Sequence, residues 1–186
     1  MADLSLAPVS ALGNPSFEGF VRIREIGPPG MISLRAEPDV PGLADAFGAL
    51  GLTLPEPRRI TVTGDKAAGW MSPDEYLLIL PYAEVTAAMA SLSDSLTGRH
   101  HLAANVSDAR AVFRIEGAKA DQVLRKLCPA DLDRLEPGEL RRTRAAQVAA
   151  AFWQQENGFT LVCFRSVAGY VMGLLQNAAQ PGSELW

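Results

Sequence analysis

The sequence predicts an α+β protein whose helices pack on antiparallel sheet, organised as two similar halves. Three observations lead there. Short runs alternate apolar and charged side chains in the manner of a half-buried strand, as in Phe20-Val-Arg-Ile-Arg-Glu-Ile. Four other stretches repeat apolar residues at helical spacing. The order strands–helix–strands–helix then occurs twice at similar intervals, giving a first half over 18–98 and a second over 99–186, behind an extended N-terminal arm over 1–17.

The arm carries Pro8, Gly13, Asn14 and Pro15, with Leu4, Leu6 and Phe17 as apolar anchors. After the strand at Phe20–Ile26, Gly27-Pro-Pro-Gly30 reads as a hairpin turn into a second strand at Met31–Arg35. A helix opens at Asp39 or Pro41, with Leu43, Ala46, Phe47 and Leu50 at i, i+3, i+4 and i+7, and Gly51 stops it. Strands follow at Arg59–Thr63, Ala67–Met71 and Glu75–Leu80. The helix over Tyr82–Leu96 aligns Val85, Ala88, Met89, Leu92 and Leu96, and ends at Gly98.

The second half repeats this grammar. Ala111–Gly117 is a strand running into a turn, and a helix from Ala118 aligns Ala120, Val123, Leu124 and Leu127. Strands are expected at Leu140–Arg144, Gln147–Trp153 and Phe159–Phe164, then a helix carrying Val167, Tyr170, Val171 and Leu174.

Composition excludes several functions. Lys+Arg 17 against Asp+Glu 21 gives a net charge of −4 at pH 7, so the basic field of a non-specific nucleic-acid binder is missing. No run approaches the ~20 apolar residues of a membrane span. The start, Met1-Ala-Asp-Leu-Ser-Leu, lacks the basic residues and apolar run of a secretory signal, so a cytoplasmic protein is expected. The 2 His are adjacent, His100 and His101, and point apart in any regular element, which argues against a shared metal. Cys128 and Cys163 are widely spaced and read as buried thiols.

Candidate nucleophiles are weak. Ser166 follows a strand without the flanking glycines of a nucleophile elbow and reads as a helix N-cap. Cys128 falls at a helix C-terminus, where the dipole disfavours a thiolate. Neither G-x-G-x-x-G nor G-x-x-x-x-G-K-[ST] occurs, so no nucleotide cofactor is expected in this chain. Asp108, Glu116, Asp131 and Asp133 show no spacing that singles out an acid–base pair. The concentrated charge feature is Arg141, Arg142 and Arg144, with Arg142 and Arg144 on one strand face and Arg141 on the other. They are either a solvated face or an anchor for a partner's carboxylates.

Three segments together carry a resemblance. Gly69-Trp-Met-Ser-Pro-Asp-Glu-Tyr-Leu-Leu matches the form W-x-x-P-[DE]-[EQ]-[WY]-L-L. The stretch from Asn105-Val-Ser107 through Gly117 and Ala120 to Leu124 is similar to D-x-S followed after a strand by G-x-x-A-x-x-x-L, and Cys128-Pro-Ala-Asp131-Leu matches C-P-x-D-L. Pro137-Gly138, Arg142-Thr143 and Arg165-Ser166-Val-Ala follow in order. The sequence thereby resembles the gamma-subunit family of heterotetrameric sarcosine oxidase, within the wider aminomethyltransferase and folate-binding group.

That resemblance implies the fold of two related α+β halves found in the group. It also implies a cytoplasmic complex with alpha, beta and delta subunits that oxidatively demethylates sarcosine to glycine, giving hydrogen peroxide and, with tetrahydrofolate, methylenetetrahydrofolate. FAD, FMN, NAD and tetrahydrofolate are expected in the partner subunits and none in this chain, which supports assembly. The group's frequent acid in D-x-S is Asn105 here, and Arg125-Lys-Leu-Cys-Pro-Ala-Asp lacks the Gly and Gln of K-G-C-Y-x-G-Q-[ED]. Both departures argue against the alternative of a stand-alone folate-dependent one-carbon enzyme; a binding module for some other partner is the third reading.

The motif residues also have structural roles. Trp70 and Tyr76 bracket a hairpin turn containing Pro73, Gly117 turns tightly from strand to helix, and Asp131 caps the turn after Cys128 and Pro129. Arg141, Arg142, Arg144, Leu185 and Trp186 are the candidate partner surface, and a partner is expected to hold the arm and the tail.

Overall fold

The computed structural model describes residues 8–186, so Leu4 and Leu6 of the arm lie outside the described residues. Among the described residues the first element is a short strand β1 (Ser16–Glu18). The first half then runs β2 (Arg22–Ile26), β3 (Gly30–Arg35), α1 (Leu43–Ala49), β4 (Ile60–Thr63), β5 (Lys66–Ser72), β6 (Glu75–Leu80) and, after a 3-10 turn, α2 (Val85–Ser95). The second runs β7 (Leu102–Asn105), β8 (Arg110–Glu116), α3 (Ala120–Leu127), β9 (Leu140–Ala145), β10 (Val148–Gln155), β11 (Gly158–Phe164) and, after a 3-10 turn, α4 (Ala168–Ala178). The protein is α+β, with two antiparallel sheets ordered β4-β5-β6-β3-β7 and β9-β10-β11-β8-β2-β1.

Equivalent strands hold equivalent places, but the opening strand of each half sits in the other half's sheet. β2 pairs with β8, and β7 pairs with β3. The sheets therefore do not divide the chain at residue 98. Gly27-Pro-Pro-Gly30 is not a hairpin turn but a crossing from one sheet to the other; Pro28 and Pro29 have no backbone N–H to extend a ladder. The two crossings meet side by side. Val106 N–H donates to Met31 O at 2.8 Å, and the buried Ser107 hydroxyl accepts from Met31 N–H at 2.9 Å while bonding Asn105 Oδ1 at 2.6 Å. The Asn105-Val-Ser107 segment thus fastens one crossing to the other.

Four layers result. α1 and α2 cover one sheet over a core that includes Leu34, Phe47, Tyr76, Leu78 and Leu92. α3 and α4 cover the other over Ile23, Phe113, Val123, Leu161 and Val171. The sheets meet through Met31, Leu77, Val112, Trp153 and Val162. Being covered on both faces, the inner strands read as near-continuous apolar runs such as Tyr76-Leu-Leu-Ile-Leu80, not as alternation.

Three local readings are corrected. The buried stripe of α4 is Ala168, Val171, Met172, Leu175 and Ala178, while Tyr170 is exposed. Ser166 lies inside the 3-10 turn at Arg165–Val167 and makes no capping bond; Phe164 precedes that turn. The strand β7 adds to the expected set; Leu102-Ala-Ala-Asn105 is short and carries no alternation to mark it in the sequence.

Candidate functional site

The inter-sheet core opens at one end, where β3 and β11 finish and β6 and β8 begin. A cleft of about 270 Å3 lies there, lined among others by Arg35, Glu75, Leu77, Arg110, Arg142 and Val162. Strand alternation sends these side chains between the sheets from five strands. Glu75, 7% exposed, is the hub: Arg35 Nη2 donates to its Oε2 at 3.2 Å, Arg142 Nη1 to the same oxygen at 3.3 Å, and Ser33 Oγ to Oε1 at 3.4 Å. Arg35 also donates to Asp74 Oδ2 at 2.8 Å.

Arg110 stands apart in this cluster. Its guanidinium stacks on Phe164, 4.1 Å from the ring centre, and its Nε is shut off from solvent with no hydrogen-bond partner among the described residues. Burial pulls its pKa below the ordinary guanidinium value; Glu75 opposes that shift and Arg142 adds to it. Sequence reading passed over Arg35, Glu75 and Arg110; the available signal was charge at inward positions of apolar strands.

The arginine-rich β9 is an edge strand. Arg142 and Arg144 share one face, Arg142 reaching across to Glu75 and Arg144 exposed. Arg141 lies on the opposite face, with Nε 3.0 Å from Glu139 Oε1, and Arg58 also bonds that carboxylate. Trp70 and Tyr76 are register partners across the β5–β6 hairpin that contains Pro73, and Tyr76 packs edge-to-face on Phe47 at 5.5 Å. Gly117 has φ +135° against Val21, and Asp131 Oδ1 accepts from Asp133 N–H at 3.1 Å. Burial pushes the Cys128 and Cys163 thiols up to about 12, leaving them protonated near neutral pH.

The described part of the arm is held by the chain itself. Glu25, 3% exposed, accepts from Ser10 Oγ at 2.9 Å and from Asn14 N–H at 2.8 Å, and Arg165 donates to the carbonyls of Val9 and Ser10. The tail is fastened likewise. Gln122 accepts from Leu185 N–H at 2.7 Å and donates to Trp186 O at 3.3 Å, while Arg125 sits 5.6 Å from the Trp186 ring centre. The Trp186 side chain remains largely exposed. These internal bonds hold the described arm residues and the tail.

The crossed strand β2 is clamped to β8 by Arg24, which bonds Glu116 through Nε at 3.0 Å and Nη2 at 2.8 Å. That hydrogen bond holds the Glu116 carboxyl below its ordinary 4.5, burial opposing and the charges of Arg24, Arg114 and Arg22 assisting. A depressed carboxylate stabilises the fold above its ordinary pKa and loses that contribution as pH falls through the folded-state value. Urea unfolding should therefore show stability declining as pH drops below 4.5. Arg24→Gln should make this decline shallower, and an unchanged slope would contradict the assignment.

Residues 35–181 match the model of the sarcosine oxidase, gamma subunit family. The chain belongs to that family. The gamma subunit from Corynebacterium sp. strain P-1 is 36% identical over 128 residues, a match covering 66% of this chain and 60% of that one. The one from Corynebacterium sp. strain U-96 is 34% identical over 142 residues, covering 74% and 68%. The chain thus spans about three-fifths of the P-1 gamma subunit's length. Heterotetrameric sarcosine oxidase from Corynebacterium sp. U-96, solved with pyrrole 2-carboxylate, contains a chain that superposes with a TM-score of 0.78 at 28% identity, covering 86% of this chain and 83% of that one. Glycine cleavage system aminomethyltransferase T from Bartonella henselae shares the fold alone: TM-score 0.62, 13% identity, 84% of this chain and 46% of that one. The stretch matched by the gamma-subunit family model contains Arg35, Glu75, Arg110 and Arg142, and excludes Glu25, Leu185 and Trp186.

Proposed function

We propose that this chain is the gamma subunit of a heterotetrameric sarcosine oxidase and supports its assembly. The complex would oxidatively demethylate sarcosine to glycine, with hydrogen peroxide as co-product and methylenetetrahydrofolate when tetrahydrofolate is present. The carrying observation is the superposition on a chain of the heterotetrameric enzyme over most of this chain's length. In this reading the alpha, beta and delta subunits are the partners and hold FAD, FMN, NAD and tetrahydrofolate, while this chain contributes no catalytic residue. Among the described residues no helix is long and apolar enough to cross a membrane, and a cytoplasmic complex is the proposed location.

The exposed Arg144, Leu185 and Trp186, with Arg141, are the proposed contact residues. Co-expression with the three other subunits tests the proposal. The chain should elute with them on gel filtration, and alone it should be colourless and inert towards sarcosine. Flavin absorbance or sarcosine turnover by the isolated chain would overturn it, as would its separate elution from an assembled remainder.

A further inference from the structure

The cleft between the sheets has features that a supporting role in assembly does not explain. Arg35, Arg110 and Arg142 bring three guanidiniums to it against two carboxylates, Glu75 in the lining and Asp74 on Arg35, so one positive charge is in excess. The excess has an address. Arg35 and Arg142 both spend donors on Glu75, whereas Arg110 Nε is buried without a partner among the described residues. A partly buried guanidinium that lines a cleft has lost hydration that a ligand's acceptor can restore, so Arg110 is where an anion would be held.

Beside these charges the lining is apolar. Leu77, Ala151 and Val162 contribute to it, and the Phe164 ring backs the guanidinium of Arg110. At about 270 Å3 the space falls just below the usual range for organic ligands, which runs from roughly 300 to 1,000 Å3. One unit of uncompensated charge matches a monoanion, and the fork of an arginine matches a carboxylate. The apolar lining favours a ligand with a short hydrocarbon body over a bare inorganic ion.

We propose that this cleft binds a small organic monocarboxylate, its carboxylate between Arg110 and Arg142 and its apolar body against Leu77, Ala151 and Val162. The ligand is a free small molecule and not a side chain of another subunit. This holds independently of the assembly role.

Calorimetry on the full chain, and on the complex it assembles into, tests the proposal with sodium butyrate as probe. Saturable binding is expected in both, with butylammonium giving none and sulfate binding more weakly. Arg110→Gln should weaken butyrate binding roughly tenfold or more, the loss expected for a charge-assisted pair. In the isolated chain Arg144→Gln, on the same strand as Arg142 but outside the cleft lining, should leave it unchanged. Should Arg110→Gln fold poorly by its melting profile, Ala149→Leu serves instead, because Ala149 is an exposed residue of the lining and a larger side chain there narrows the entrance. No saturable butyrate binding, undiminished binding in Arg110→Gln or Ala149→Leu, or sulfate binding as tightly as butyrate would overturn the proposal. Binding to the isolated chain that disappears in the complex would overturn it too, since a partner then fills the cleft.

Discussion

Gly158→Ala should be among the most damaging single substitutions in this protein. Gly158 opens β11 immediately after the two-residue loop Glu156-Asn157, with φ +149°, a conformation that L side chains rarely adopt. A Cβ there would lie 1.9 Å from the carbonyl oxygen of Ile115, on the neighbouring strand β8. Backbone cannot swing aside as a side chain does, so the β10–β11 hairpin would have to lift away from β8. That movement also breaks what the hairpin loop accepts: Arg114 Nη2 donates to Glu156 O at 2.7 Å and Gly117 N–H to Asn157 O at 2.8 Å. Arg114 is only 9% exposed and loses bonding it cannot replace with water. The combined cost is ~3 kcal/mol or more, at the severe end for one residue. For a chain of this size that corresponds to a fall of roughly 6–12 °C in Tm. Gly48→Ala provides the contrast, since Gly48 lies within α1 and a Cβ there meets nothing within 4 Å. Helix propensity alone predicts a neutral or slightly stabilising change at that site. A thermal melt of Gly158→Ala within about 2 °C of the parent would refute the close approach.

Glu25→Ala should release the arm and lower global stability by ~2–3 kcal/mol. The carboxylate is buried on β2 and serves as acceptor for an otherwise irregular segment: Ser10 Oγ, Leu12 N–H and Asn14 N–H all donate to it. Ser10 Oγ in turn accepts from Gly13 N–H at 2.9 Å and Asn14 N–H at 3.0 Å, so one side chain organises a complete turn. Removing it strands these donors. The segment then gains more by detaching into water than by staying docked. Thermolysin, which favours apolar sites such as Val9 and Leu12, should cut the variant in this segment at least about tenfold faster than the parent, the rate following the population of the open form. Glu25→Gln retains the shape and one acceptor oxygen and should fall between the two. Equal cleavage rates for Glu25→Ala and the parent would show that other contacts hold the arm.

Much of the architecture was legible because it is written locally. The helix at 43–49 announces itself through Leu43, Ala46 and Phe47 at helical spacing, and the residues so aligned are the ones buried. The β5–β6 hairpin was legible because Pro73 and Asp74 form the turn while Trp70 and Tyr76 stand either side of it. α4 was placed correctly but rotated by one residue, since Tyr170 and Leu174 satisfy the same spacing as Ala168, Val171 and Leu175. Local pattern alone does not say which stripe faces the sheet.

The cleft was invisible for a different reason. Arg35, Glu75 and Arg110 are far apart in the chain, and each looks like an ordinary charged residue at a strand end. Only the stacking of one sheet on the other brings them together. Arg142 was singled out for its neighbours Arg141 and Arg144, yet its bond is to Glu75, on the opposite sheet. Proximity in sequence was the wrong guide to its partner.

By itself the sequence determined the α+β class, the duplicated order of elements and, through its motifs, the family, because periodicity, turn residues and motif spacing are properties of neighbours along the chain. The tertiary structure alone decided that β2 and β7 trade sheets, that Gly27–Gly30 is a crossing, and that four charged residues line one cleft. A strand's own residues specify which of its faces is apolar, but its backbone N–H and C=O groups are satisfied equally well by either sheet edge. The choice between edges is made by packing between distant segments, here secured by Arg24 on Glu116 and by Ser107 on Met31.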